Sequence, residues 1–173
     1  MRNVIDDFKG VSQAAIIQQL DERNGDTLEI AVDNVTRDFN MGTIIRTANA
    51  FGVRRVHVIG RKQWNKRGAM MTDTYMHVHY YKTVDAFMEA IANRVLVAVD
   101  NVPGAMSVTT TPLPRNAVLL YGAEGPGIRS ELLQRAAMTV AIEQYGSTRS
   151  MNVGVAAGIV MYEWVRQHLS TIR

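Results

Sequence analysis

Three stretches of the chain carry residue types that could do chemistry together. The first, "NVTRDFNMGTIIRTANAFGV" (34–53), sets Asn40, Gly42 and Arg46 around the start of a helix that follows a strand. The first N–H groups of a helix have no intrahelical acceptor, so an anion such as phosphate is favoured there. The second, "LLYGAEGPGIRSELL" (119–133), runs a buried strand into Gly122, Glu124, Gly125, Pro126 and Gly127. Glycine permits positive φ and close backbone approach, and proline suits the first position of a helix. The third, "GSTRSMNVGVAAGIV" (146–160), puts Ser150 and Asn152 ahead of an apolar run. Ser150 is read as the cap of the last helix. Asn152 is read inside the first turn, with no capping need to meet. Gly154, Ala157 and Gly158 make a small-residue face that lets another backbone come close.

Each stretch also has a plainer reading. Asp38 or Asn40 can cap a helix beside a solvated Arg46, residues 122–127 can be a tight turn, and the later glycines can serve packing. The glycine order G-x-x-G-x-G is not the dinucleotide fingerprint G-x-G-x-x-G. Glu143 nevertheless ends the next strand roughly 20 residues on, where that fingerprint places its ribose-binding acid. A nicotinamide-dinucleotide-dependent oxidoreductase therefore competes at this point.

The elements that must position these residues alternate. Residues 1–26 show helical spacing of Val4, Ile5, Phe8, Val11, Ala15 and Leu20, stopped by "RNGD". Strands are predicted at 28–35, 53–60, 76–81, 94–100, 117–122 and 138–143. Helices are predicted at 38–51, stopped by Gly52, at 83–93 with Thr83 as cap, after the glycine turn at 124–127, and at 150–169. Residues 61–75 and 101–116 read as loops. Short apolar strands alternating with helices predict an α/β fold, a parallel sheet flanked by helices on both faces. Ligands of such sheets sit beyond the carboxyl ends of the strands, where all three stretches fall.

Composition narrows the chemistry further. The 173 residues suit about one domain, and the formal net charge is only +3. There is no cysteine, which excludes disulfides and thiolate metal sites and fits a reducing compartment. The N-terminus "MRNVIDDFKG" is too polar for a signal peptide, and the apolar run from Met151 to Tyr162 is too short to span a bilayer. A soluble, cytoplasmic protein without membrane contact is expected. His77 and His79 share a strand face but lack a third ligand at sensible spacing, so no metal is expected. No nucleophile elbow and no P-loop occurs. "RRVHVIGRKQWNKRG" (54–68) brackets Trp64 with Arg54, Arg55, Arg61, Lys62, Lys66 and Arg67. Cations for phosphate and an aromatic for stacking suit RNA, against the alternative of a solvated loop with Trp64 on the core.

Taken jointly, "NMGTIIRTANAFGV", "LLYGAEGPGI" and "VAIEQYGSTRSMNVGVAAGIVMYE" resemble, in order and separation, the signature motifs of the SpoU-type (TrmH-like) RNA ribose 2′-O-methyltransferases of the SPOUT class. The resemblance runs from about residue 28 to 168, so the chain divides into a short helical extension, 1–27, and a methyltransferase domain, 28–173. It implies a sheet whose C-terminal part forms a deep trefoil knot, a homodimer, and S-adenosylmethionine as methyl donor. Gly122, Ile142, Met151 and Val99 are the implied cofactor residues. Asn40, Arg46, Glu124, Ser150 and Asn152 are the implied catalytic set, and tRNA or rRNA is the implied partner. One departure stands out: "IEQYG" (142–146) replaces the family's usual isoleucine-proline-methionine-x-glycine beside the adenine pocket. A non-catalytic RNA-binding protein of the same fold is the alternative that this departure raises.

Overall fold

A computed structural model describes residues 4–24, 28–33, 39–61, 64, 66–122, 127–148 and 150–169, with Phe39 described by its backbone alone. The strands are β1 (Glu29–Asp33), β2 (Arg55–Ile59), β3 (His77–Tyr81), β4 (Val95–Val99), β5 (Met106–Ser107), β6 (Ala117–Tyr121) and β7 (Met138–Ala141). The helices are α1 (Gln13–Asn24), α2 (Phe39–Ala50), α3 (Val84–Ala90), α4 (Ser130–Arg135) and α5 (Val153–His168). The strands form one sheet in the order β3-β2-β1-β6-β4-β7-β5. All its pairings are parallel. This is the α/β architecture that the alternation predicts.

Residue alternation along each strand divides the apolar side chains between two faces. On one face Ile30, Val32, Val56, Val97 and Leu119 meet Ile44, Ile45 and Ala48 of α2 and Ala157, Val160 and Trp164 of α5. On the other, Ala31, Ile59, Ala98 and Leu120 meet Phe87 of α3 and Leu132 of α4. β1 and β6 are buried along their whole length, which marks the middle of the sheet. The buried Trp164 donates its indole N–H to the Pro114 carbonyl at 2.9 Å, so α5 is fastened at its far end too.

Several elements differ from the sequence reading. The N-terminal segment is not one helix. A 3-10 turn (Asp6–Phe8) ends at Gly10, whose φ of +79° breaks the path, and α1 starts only after Ser12. The Ser12 hydroxyl accepts the Ala15 N–H there. Phe8 and Ile16 then pack on Tyr75 as a small separate cluster. The stretch 61–75 is not wholly loop, since it holds 3-10 turns at Lys66–Ala69 and Thr72–Tyr75. The loop 101–116 contains the edge strand β5. Strand β7 ends at Ala141, short of Glu143. Pro126 lies outside the described residues, and α4 begins only at Ser130.

Two predicted stops and caps are present. Gly52, at φ +77°, ends α2, with its N–H on the Asn49 carbonyl and the Val53 N–H on that of Ala48. Thr83 caps α3 by accepting the Ala86 N–H.

Candidate active site

The carboxyl ends of β1, β4, β6 and β7 converge on one side of the sheet. Beyond them lies a cavity of about 440 Å³, lined in part by Val99, Gly122, Ile142, Met151, Ser150 and Asn152. Gly122 is there because nothing larger fits. A Cβ on it would lie 2.3 Å from the Gly127 carbonyl carbon and 2.4 Å from the Ile128 nitrogen. The backbones of Gly122 and of Gly127–Ile128 therefore touch.

Two carboxylates hold the residues that follow Gly127. Asp100, just past β4, accepts the Ile128 N–H at 3.0 Å. Asp33, buried at the end of β1, accepts the Arg129 N–H at 3.0 Å and its guanidinium Nε at 2.8 Å. This bond holds the Arg129 guanidinium even more firmly in its charged form. Sequence reasoning passed over both aspartates. A signal was present, because each closes a run of strand formers with the same "AVD": "EIAVD" (29–33) and "VLVAVD" (95–100). An acid at the carboxyl end of a buried strand faces the ligand side of a parallel sheet.

The start of α5 corrects the capping assignment. The cap is Asn152, not Ser150: its Oδ1 accepts the N–H groups of Gly154 at 2.9 Å and Val155 at 3.2 Å. Its other amide atom, Nδ2, donates to Asn40 Oδ1 at 2.9 Å. One side chain thus caps α5 and ties it to the first turn of α2. The helices continue in contact beyond that point. A Cβ on Gly154 would meet the Thr43 methyl at 3.1 Å, and one on Gly158 would meet that of Thr47 at 3.6 Å. Arg46, one turn past Thr43, is exposed along this seam and does not line the cavity. Gly42 serves a different neighbour, since a Cβ there would lie 2.6 Å from the Ala69 nitrogen and the Gly68 Cα. Glu124 lies outside the described residues.

Glu143 does not line the cavity. Its carboxylate accepts from the hydroxyl of Ser107 and, at 3.2 Å, from that of Thr109. The Ser107 bond holds its carboxyl below the usual range. A ribose-binding role for Glu143, on which the dinucleotide alternative depended, loses its geometric basis.

The basic stretch 54–68 divides. Arg54 is buried, at 3% exposure, and its Nε bonds Asp21 of α1 at 2.8 Å. It belongs to the interior, not to an RNA-facing surface. Arg55 bonds Glu29 at 3.0 Å, at the opposite end of the strands from the cavity. Arg61 and Arg67 are exposed. Lys66 is exposed but pairs with Asp73 at 3.0 Å, which raises its pKa. Trp64 is half-buried against the α2–α5 core, with its indole N–H on the Tyr80 hydroxyl at 3.2 Å. Of its two readings, this is packing on the core. Lys62 lies outside the described residues.

The histidines are engaged elsewhere. His77 bonds Asp21 at 2.9 Å, and His57 bonds the buried Glu29 at 2.7 Å and the Tyr81 hydroxyl at 3.0 Å. His79 stacks on His57, and burial followed by its positive neighbours lowers its pKa. Among the described residues no group of three or more His, Cys, Asp or Glu side chains is placed to hold a metal ion. No described helix is long and apolar enough to cross a membrane.

The second and third motifs thus meet at one cavity, and the first is joined to them through the Asn40–Asn152 bond. A model of the SpoU rRNA Methylase family matches residues 27–162. The chain belongs to the SpoU rRNA methylase family. Among curated proteins it is similar to the tRNA (guanosine(18)-2′-O)-methyltransferase of Escherichia coli K12, at 28% identity over 89% of this chain and 69% of that protein. It is also similar to the 23S rRNA (guanosine-2′-O-)-methyltransferase RlmB of Bordetella pertussis, at 32% identity over 88% of this chain and 64% of that protein. Among solved structures, the A. aeolicus TrmH/SpoU tRNA modifying enzyme superposes with a TM-score of 0.80 at 24% identity, over 91% of this chain and 85% of that one. The SpoU methyltransferase AviRb from Streptomyces viridochromogenes, in complex with AdoMet, gives 0.78 at 26% identity, over 87% and 65%. The first of these speaks for the fold. The second adds that a SpoU protein of this shape binds the methyl donor.

Proposed function

We propose that this SpoU family chain is an S-adenosylmethionine-dependent RNA methyltransferase acting on a ribose 2′-hydroxyl of tRNA or rRNA. The observation that carries the proposal is the meeting of Val99, Gly122, Ile142 and Met151 with Ser150 and Asn152 around one cavity. These residues come from three separate parts of the chain, around 99, 122 and 142–152. The cavity also fits the donor: about 440 Å³ is within the range of small-molecule sites, and Val99, Ile142, Met151 and Ala156 give it apolar walls. Gly122, kept free of a side chain by the Gly127–Ile128 backbone packed against it, presents its own backbone at the cavity wall.

S-adenosylmethionine, when bound, supplies a methyl already activated by a positively charged sulfur. The chain must then hold the donor, align the attacking 2′-oxygen and favour its loss of a proton. Val99, Gly122, Ile142 and Met151 hold the donor. Arg46 acts as a fixed cation beside the 2′-oxygen or a neighbouring phosphate. A guanidinium keeps its proton in proteins, so Arg46 lowers the pKa of the hydroxyl and phosphate or water takes the proton. Ser150 and Asn152 orient the ribose or Arg46, and Asn40 and Glu124 brace the site. Arg61, Lys66 and Arg67, joined by Lys62, attract the RNA backbone.

The C-terminal part forms a deep trefoil knot in this reading. What supports it is that residues on both sides of the 142–152 segment line one cavity with Asp100, Gly122 and Gly127. A homodimer completes the assembly. Its support is an exposed apolar stripe on α5, Val155, Ile159 and Tyr162, at helical spacing, with Phe51 6.3 Å from the Tyr162 ring. Residues 1–27 form an extension to the catalytic unit, and the protein works in the cytoplasm.

Calorimetry with S-adenosylmethionine, S-adenosylhomocysteine and a nicotinamide dinucleotide tests the donor. Methyl transfer to RNA, located by mass spectrometry of nuclease digests, tests the reaction. Binding of the dinucleotide alone would overturn the reading. Donor binding without any 2′-O-methylation would leave only an RNA-binding role.

A further inference from the structure

Past the end of β7 three consecutive side chains part company. Ile142 and Gln144 line the cavity, while Glu143 between them turns away to the hydroxyls of Ser107 and Thr109. Ser107 lies in β5, opposite Ala141 of β7, so this clip fastens the strand exit to the neighbouring edge strand. With Glu143 held at Ser107 and Thr109, its neighbour Gln144 stands at the cavity wall. Tyr145, the next residue, is 94% exposed. Among the described residues no side chain engages the Gln144 amide.

The two positions are those at which this chain departs from its family's usual proline and methionine. A methionine offers a purine dispersion and little else. A glutamine amide offers one acceptor and two donors in a plane. Adenine presents an exocyclic amine beside a ring-nitrogen acceptor, the pattern that an amide pairs with bidentately. The cavity that Gln144 lines also has the apolar surfaces of Val99 and Ile142, suited to a purine ring, and the polar side chains of Ser150 and Asn152.

We propose that Gln144 is a specificity-determining residue for the adenine ring of the methyl donor, set in place by the Glu143–Ser107–Thr109 clip. The proposal rests on the methyl-donor reading of the cavity. It assigns the "IEQYG" departure a direct role: an apolar wall is exchanged for a side-chain contact that reads the base.

The test is a thermodynamic cycle measured by calorimetry. S-adenosylhomocysteine and its 6-deamino analogue, which carries hydrogen in place of the exocyclic amine, are titrated into the wild-type protein and Gln144→Met. The wild-type protein is expected to bind the deamino analogue about tenfold more weakly, the scale of one lost hydrogen bond. Gln144→Met, which restores the family residue, is expected to bind both ligands with nearly equal affinity. An equal penalty for deamination in both proteins, or none in the wild type, would overturn this proposal while leaving the methyl donor in place. Failure of the wild type to bind either ligand would overturn the donor reading, and this proposal with it.

Discussion

Asn152 reaches Asn40 across the seam between α5 and α2, with Nδ2 2.9 Å from Oδ1, while its own Oδ1 caps α5. The two jobs use different atoms of one amide, so they can be separated. Asn152→Asp keeps the capping oxygen and loses the donor. It is expected to hold its melting temperature and lose methyl transfer at least tenfold. Asn152→Ala loses both and should also unfold about 1 kcal/mol more easily, the usual cost of a removed cap. Thermal unfolding beside single-turnover assays makes the comparison. Equal activity in Asn152→Asp and the wild type would remove the link to Asn40 from the mechanism.

Arg46 stands exposed on α2 and outside the cavity wall. Arg46→Ala is expected to lower turnover by roughly 100-fold or more, the scale of one lost charge-stabilising group. Its calorimetric affinity for S-adenosylhomocysteine should stay within about twofold of wild type, because no cavity contact is removed. Near-normal turnover would exclude Arg46 from the reaction.

Arg54 and Arg61 are expected to respond in opposite ways. Arg61 is exposed, so Arg61→Ala should flatten the salt dependence of RNA binding by about one unit of slope and leave stability within ~0.5 kcal/mol. Arg54 is buried while its partner Asp21 is partly exposed and also held by His77, so Arg54→Ala should cost about 1–2 kcal/mol and leave the slope unchanged. Filter binding over a salt series and urea unfolding read the two effects. A flattened slope in Arg54→Ala would mean that the side chain reaches RNA after all.

Glu29 is buried at the start of β1, where burial alone would raise its pKa. His57, Arg94 and Arg55 outweigh that and hold its carboxyl below the ordinary value of 4.5. A carboxyl lowered on folding contributes stability that is present above its unfolded pKa and lost as pH falls through the folded one. Glu29→Gln should therefore unfold about 3 kcal/mol more easily at neutral pH, with the gap from wild type narrowing below 4.5. Urea unfolding across that range checks it. A gap that stays constant into strong acid would contradict the assignment.

Tyr162 is 57% exposed on the apolar stripe of α5, beside Phe51. A stripe that a partner covers cannot accept a charge, so Tyr162→Asp should sediment as a monomer where the wild type sediments as a dimer. A monomeric wild type would remove the homodimer from the proposal.

The sequence by itself determined the α/β alternation, because short apolar strands and amphipathic helices leave periodic patterns that need no distant partner. It also exposed the ends of elements that are set locally, such as Gly52 after α2 and Thr83 before α3. The three motifs were legible in the same way, as residue types in order. Which atoms they use was not. On paper Ser150 reads as the cap and Asn152 as a residue of the first turn. The tertiary structure has Asn152 as the cap, its Oδ1 capping α5 while its Nδ2 donates to Asn40 on a helix more than a hundred residues away. Likewise "RR" at 54–55 reads as a basic surface until α1 folds over it and brings Asp21 to Arg54. Glu143 and Gln144 are neighbours in sequence, and the register of β5 against β7 sends one to Ser107 and leaves the other at the cavity. Periodicity fixes which residues can share a face. Only the packed chain decides what stands opposite that face, because the partner comes from a segment that local pattern cannot name.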